Sequence, residues 1–257
     1  MKMKEGRGKR EEGRGFLGGI VRGFLAIALC AVGLSAFAAE PDAVQLWEGG
    51  PYFATCNVGA EKPEESGYYF WWGDTVGYKH DGSKWVSVDG KGTTIEFSQT
   101  DTTANQSSKK DNQGLKDAGF SDDASTGVLN AAHDAATVHL GAPWRMPTVQ
   151  ELMGLINECD RLAINTSGAE YKGDGDTFAG WRVTGRGDYS GNSIFLPAAG
   201  YGSESSISSD DTVYLSSMPF SVTTYNANGI SIKSNSFDTN WPLRYLGNFV
   251  RAVRDAK

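Results

Sequence analysis

The stretch "GAPWRMPTVQEL", Gly141 to Leu152, packs a tryptophan, an arginine, two prolines and a threonine-to-glutamate step into twelve residues. Thr148 followed three residues later by Glu151 has the spacing of a capping box, in which each residue satisfies a backbone amide of the other's turn. Val149, Leu152, Met153 and Ile156 then recur at helical spacing, with Cys159 on the same stripe. A helix is therefore predicted to open at Thr148. Gly141 reads as the stop of a preceding helix, and Pro143 and Pro147 stiffen the turn between the two. In that corner Trp144 and Met146 are expected to pack inward. Arg145 is expected to pair with a nearby carboxylate, because a partly buried arginine needs a partner. The density of special residues thus reads as a structural corner built by Trp144, Arg145, Pro147, Thr148 and Glu151.

Working outward, the preceding helix is predicted over Gly127 to Leu140, with Val128, Leu129, Ala132, Ala135, Ala136 and Leu140 on one face. Further upstream, "VQLW" and "YFATCNVG" alternate apolar and polar residues as half-buried strands do. The aromatic run "GYYFWWGDT" reads as a core strand. Residues 78–125 turn polar and read as an insertion: a small hairpin in "KHDGSKWVSVDGKGTTIEFSQT", then a flexible loop in "DTTANQSSKKDNQG". Downstream of Asp160, "GWRVTG", "SIFLPAAGY", "TVYLSS" and "GNFVRAVRD" are short strands. "FSVTTYNANGISIKSNSF" reads as a hairpin turning near Asn228-Gly229. Strands, two helices, then strands make an α+β fold rather than α/β.

The ends and the composition narrow the setting. A basic segment to Arg22, an apolar run from Gly23 to Leu34 and the small-residue pattern Ala36-Phe37-Ala38 read as a secretory signal over residues 1–38, cleaved near Ala38 or Ala39, the other reading being an uncleaved anchor favoured only by the long basic segment. Residues 39–45 read as a linker and 46–257 as one domain. The apolar run is shorter than the roughly 20 residues a membrane span needs, so no stable span is expected after cleavage. Cys30 lacks the preceding small residue of a lipid-anchor signal. Cleavage removes seven basic and three acidic side chains, and the net charge of −7 becomes −11. That surface repels phosphate backbones, so nucleic acid is a poor partner. Two cysteines remain, Cys56 and Cys159. In an oxidising compartment they read as one disulfide, the other reading being two buried thiols that pack as small hydrophobes.

Four motifs, "ATCNVGAEKPEESGYYFWWGDT", "NAAHDAATVHLGAPWRMPTVQEL", "SIFLPAAGY" and "GNFVRAV", occur in this order between about Leu46 and Arg254. Together they resemble the bacterial exported family known as the Fibrobacter succinogenes major paralogous domain. The resemblance implies a C-type-lectin-like fold, related to the formylglycine-generating-enzyme and adhesin versions. In that fold the first and last strands pair, two helices flank small antiparallel sheets, and a long loop region carries the binding face. One departure stands out: where the family tends to read Tyr-Trp-Ser-Ser, this chain has "VYLSS", Val213 to Ser217, and an aromatic is lost.

Catalysis finds little support in these residues. No nucleophile elbow and no H-E-x-x-H occur, and His80, His133 and His139 are scattered. The copper-binding cysteine pair of the formylglycine-generating relatives has no counterpart after Cys159. Neither calcium-and-sugar triplet of the animal lectins is present. Asp174 and Asp176 in "YKGDGDTF" have the spacing of oxygen ligands, but Asp-Gly-Asp reads better as a turn. No cofactor or metal is expected. The preferred expectation is a non-enzymatic, secreted or cell-surface binding module for a glycan or a surface protein. Its polar-aromatic face would comprise Tyr201, Asp210, Asp211, Tyr214, Asn240, Trp241, Arg244 and Tyr245. Trp241 beside Pro242 has an equally good reading as a core anchor. The alternative for the whole chain is a structural, envelope-assembly module with no small ligand.

Overall fold

The computed structural model describes residues 42–209 and 211–256; the segment read from sequence as a secretory signal and Asp210 lie outside them. Five small antiparallel sheets and three α-helices make up the domain, an α+β architecture. Strands β1 (Ala43–Gln45) and β2 (Tyr52–Ala54) form the first sheet with β14 (Val253–Arg254). The expected pairing of first and last strands is thus mediated: β2 lies between β1 and β14, with Val253 opposite Phe53. The residues read as the end of a linker are β1 itself. No helix among the described residues is long and apolar enough to cross a membrane.

The polar insertion contributes core rather than a flap. Strands β3 (Tyr78–His80), β4 (Trp85–Ser87) and β5 (Thr94–Ile95) form a meander, and Tyr78, Trp85, Ile95 and Phe97 are buried. Trp85 lies 4.7 Å from Tyr69 and 4.8 Å from Phe97, and Tyr69 lies 4.5 Å from Phe249, in tilted and edge-on arrangements. Burying each such ring stabilises the fold by roughly 1.5–3 kcal/mol, which outweighs the polar composition of the surrounding turns. The segment read as a flexible loop is anchored by the buried Ser107, whose hydroxyl donates to the Trp72 carbonyl at 2.6 Å. It then forms helix α1 (Asn112–Asp117), capped by Asp111 and seated by Leu115. The "GYYFWWGDT" run is core as expected, but it joins its neighbours through single bridges, Tyr69 to Tyr78 and Phe70 to Asn248, not as a long strand.

Helix α2 is shorter than the periodicity predicted: it covers Ala135–Leu140, not Gly127 to Leu140. The Asp134 carboxylate accepts the Thr137 amide at 2.8 Å and starts the helix there. Upstream, the Leu129 amide donates to the Ser217 carbonyl and the Asn130 amide to that of Phe120, so these residues bond across the fold instead of along a helix. Helix α3 (Val149–Asn157) has the predicted capping box. Leu152 and Leu155 are buried, whereas Met153 is exposed. At Gly154 the Trp47 ring comes so close that a Cβ would collide with it, which lets the helix lie flat on that indole.

Strands β6 (Asp160–Asn165), β7 (Phe178–Thr184) and β8 (Ser193–Pro197) form one sheet, and β9 (Tyr201–Ser203) with β10 (Ser206–Ser208) forms a hairpin. Strands β11 (Thr212–Pro219), β12 (Ala227–Lys233) and β13 (Ser236–Asn240) form the sheet on which α3 packs. Asn228-Gly229 is inside β12, not at a turn; the turn is Ser234-Asn235, between Lys233 and its partner Ser236. Gly229 is needed for close strand approach, since a Cβ there would strike the Tyr214 carbonyl. Cys56 and Cys159 are free thiols, not the expected bridge. Cys159 is enclosed at the foot of α3, where burial pushes its thiol up to about 11. Cys56 follows β2, its sulfur 3.9 Å from the Thr55 hydroxyl.

Candidate binding surface

The corner of Gly141 to Leu152 is structural, as its residue types predicted. Trp144 and Met146 are buried. The Arg145 guanidinium donates to both carboxylate oxygens of Glu151, at 2.9 and 2.7 Å, and to Asp255. Glu151 also accepts the Thr148 amide at 2.8 Å. Burial opposes ionisation of Glu151, but the bonds from Arg145 and Thr148 prevail and hold its carboxyl below the usual value. The Pro147 carbonyl accepts the Ser217 amide, tying this corner to β11.

The eight expected face residues divide. Tyr214 and Arg244 are buried, at 0 % and 1 % exposure, and cannot touch a ligand from solvent. Tyr214 donates its hydroxyl to the Pro197 carbonyl at 3.0 Å, and burial raises it to about 12. Tyr201, Asp211, Asn240 and Tyr245 are half-buried. The Asn240 amide reaches Asp211 at 3.4 Å, while Tyr201 belongs to the separate β9–β10 hairpin. Asp210 lies outside the described residues. Trp241 is 52 % exposed, so the reading as a core anchor fails.

Around Trp241 the chain builds a shelf that the residue pattern did not reveal. Phe220 lies against the Trp241 ring at 5.2 Å and 35° between planes, and Val222 and Tyr225 are exposed at 75 % and 39 % beside it in sequence. The loop from Phe220 to Asn226 is closed by the Phe220 amide on the Asn226 carbonyl at 3.1 Å. The Asn226 side chain donates to the Trp241 carbonyl and accepts from Thr223, joining the loop to the end of β13. Beneath it, Arg244 donates to the carbonyls of Asn226, Ser107 and Lys110 at 2.9–3.0 Å and stacks on Trp72 at 4.6 Å. Burial pulls this guanidinium down to about 10, so it stays charged at neutral pH. Arg244 therefore acts on the surface by positioning: it clamps three segments under the shelf. "FSVTTY" falls in the first arm of the hairpin expected from sequence, and the only local signal of a surface loop there is an apolar Val222 set between Ser221 and Thr223.

His133 Nδ1 lies 3.0 Å from the Gly73 carbonyl, and His139 packs against Tyr68 and Phe70. Among the described residues, no three His, Cys, Asp or Glu side chains come together as a metal site requires. Asp176 accepts the Lys172 amide at 3.0 Å, closing the Asp-Gly-Asp stretch as a turn. Comparison with known proteins supplies no relative: no family model, no curated protein and no solved structure matches the chain.

Proposed function

We propose that the chain is an exported, non-enzymatic binding module that recognises a glycan or a protein at or outside the cell envelope. In this reading it is a member of the Fibrobacter succinogenes major paralogous domain family with a C-type-lectin-like fold. Its binding face is the shelf of Phe220, Val222, Tyr225 and Trp241. The observation that carries the reading is a half-exposed tryptophan stacked on a phenylalanine, over a loop clamped from below by a buried arginine. Contiguous exposed aromatic and aliphatic side chains mark interaction sites. Tryptophan and tyrosine contribute most at such sites, because they bring large area with little rotamer freedom to lose. The clamped backbone lowers the ordering cost of binding.

The test is a glycan array run beside a pull-down from envelope extract, each with the wild-type chain and with Trp241→Ala. Capture by the wild type in either arm, lost in the variant at unchanged circular dichroism, supports the reading. Capture that survives Trp241→Ala moves the site elsewhere. No capture in either arm favours the structural, envelope-assembly role.

A further inference from the structure

A second recess lies between the sheet of β6–β8 and that of β11–β13. It is a groove of about 450 Å³. Tyr171 and Phe178 form one wall, edge-on to each other at 5.6 Å. Asp211, Lys233 and Asn235 face the same space, and Ile207 forms the rim. The walls are held by bonds that need no ligand. The Trp181 indole N–H donates to the Lys233 carbonyl at 2.8 Å, tying the β12–β13 turn to β7. The amides of Ala199 and Gly200 both donate to the Thr212 hydroxyl, at 2.8 and 2.9 Å, tying the end of β8 to β11.

The lining selects a chemistry. The volume falls within the range of about 300–1,000 Å³ typical of small-molecule sites. Among the described lining residues one carboxylate, Asp211, stands with one ammonium, Lys233, so a polyanion or polycation would meet a like charge there. The polar groups are mixed: Lys233 only donates, Asp211 only accepts, and Asn235 does both. Sugar hydroxyls are themselves both donors and acceptors, and a pyranose ring presents apolar C–H faces that aromatic rings cover. The groove is also not closed at Ile207, which is 45 % exposed and lines a neighbouring recess of about 620 Å³ with Tyr68 and Lys79. Ile207 thus borders both recesses.

We propose that this groove is a second binding site and takes a neutral oligosaccharide, with Tyr171 and Phe178 against the sugar faces and Lys233, Asp211 and Asn235 on the hydroxyls. Among the described residues the site shares only Asp211 with the face expected from sequence; Asp211 is reached by the Asn240 amide beside Trp241, but none of the four shelf side chains lines the groove.

The experiment titrates the purified chain with cellohexaose, maltohexaose, mannohexaose and chitohexaose, each beside its disaccharide. Hexagalacturonate serves as the anionic control, and saturation-transfer NMR and calorimetry are the readouts. At least one neutral hexaose is expected to bind, more tightly than its disaccharide. Tyr171→Ala is expected to weaken it about tenfold or more, as loss of a central aromatic contact does. Asn235→Ala, at an exposed turn where folding is not at stake, is expected to weaken it by a smaller factor, and Trp241→Ala to leave it unchanged. The proposal is overturned if no neutral hexaose binds at millimolar concentration, if hexagalacturonate binds equally well, or if binding survives both Tyr171→Ala and Asn235→Ala. Loss of hexaose binding in Trp241→Ala alone would assign the sugar to the shelf instead, so the two readings fail separately.

Discussion

Ala142 to Pro147, "APWRMP", and Asn240 to Tyr245, "NWPLRY", each set a tryptophan, a proline and an arginine within a few residues. Their fates are opposite. In the first, Trp144 is 2 % exposed and Arg145 lies nearer the surface on Glu151 and Asp255. In the second, Trp241 is exposed and Arg244 is the buried member, bonded only to carbonyls. What each corner lacks decides the difference. The first has carboxylates at its rim, so its arginine is satisfied near solvent and its indole fills the interior. At the second, three loops bring carbonyls together that need donors, and a guanidinium meets all of them from inside. The chain direction then leaves Trp241 outside, over a backbone held rigid by its neighbour.

Four substitutions test this contrast. Trp144→Ala should cost about 3–5 kcal/mol in urea unfolding, the range for a large buried aromatic; a cost under about 1 kcal/mol would mean that the corner repacks easily. Arg244→Met should cost roughly 2–4 kcal/mol, because three carbonyls lose a charged donor, and it should also abolish capture by the shelf. If Arg244→Met bound normally, the clamp would have no part in presenting Trp241.

Acid should separate the two corners. The folded pKa of Glu151 is depressed, so its stabilising contribution is present above its unfolded value and is lost as pH falls through the folded one. Glu151→Gln should therefore narrow its stability gap to the wild type as pH drops below about 4.5. Asp74 tilts the curve the other way: burial raises it to about 7, so its stabilising effect is lost as pH rises through that value. That slope is common to both proteins and cancels in the difference. Among the described residues Arg244 is bonded to carbonyls and to no carboxylate, so Arg244→Met should show a constant gap over the same window. The smallest effect on stability is expected for Trp241→Ala, within about 0.5 kcal/mol as for an exposed site, together with complete loss of shelf binding. A collapsed fold in that variant would return Trp241 to a structural role.

The first corner was legible because its interactions are short in sequence. Thr148 and Glu151 are three residues apart, and Arg145 and Glu151 are six, so residue type and spacing nearly specify the contacts. The second was not. Arg244 meets Ser107 and Lys110, more than 130 residues away, and no local pattern says which of Trp241 and Arg244 enters the core. The same distance effect explains Tyr214, whose hydroxyl is satisfied inside at Pro197. It also explains α2: its apolar stripe predicted a start at Gly127, but the Leu129 amide is taken by Ser217. Phe220, Val222 and Tyr225 read as strand because alternation cannot distinguish a half-buried strand from an ordered loop.

Residue type and spacing alone were enough for the capped start of α3, the inward Trp144 and Met146, and the ion pair of Arg145. Each depends on backbone hydrogen bonding and side-chain reach within about two helical turns. The free state of Cys56 and Cys159, the core role of the polar insertion, and the exposure of Trp241 above a buried Arg244 came from long-range packing. Those outcomes depend on which distant carbonyls and rings arrive at the same place, and burial is a property of that meeting rather than of any residue alone.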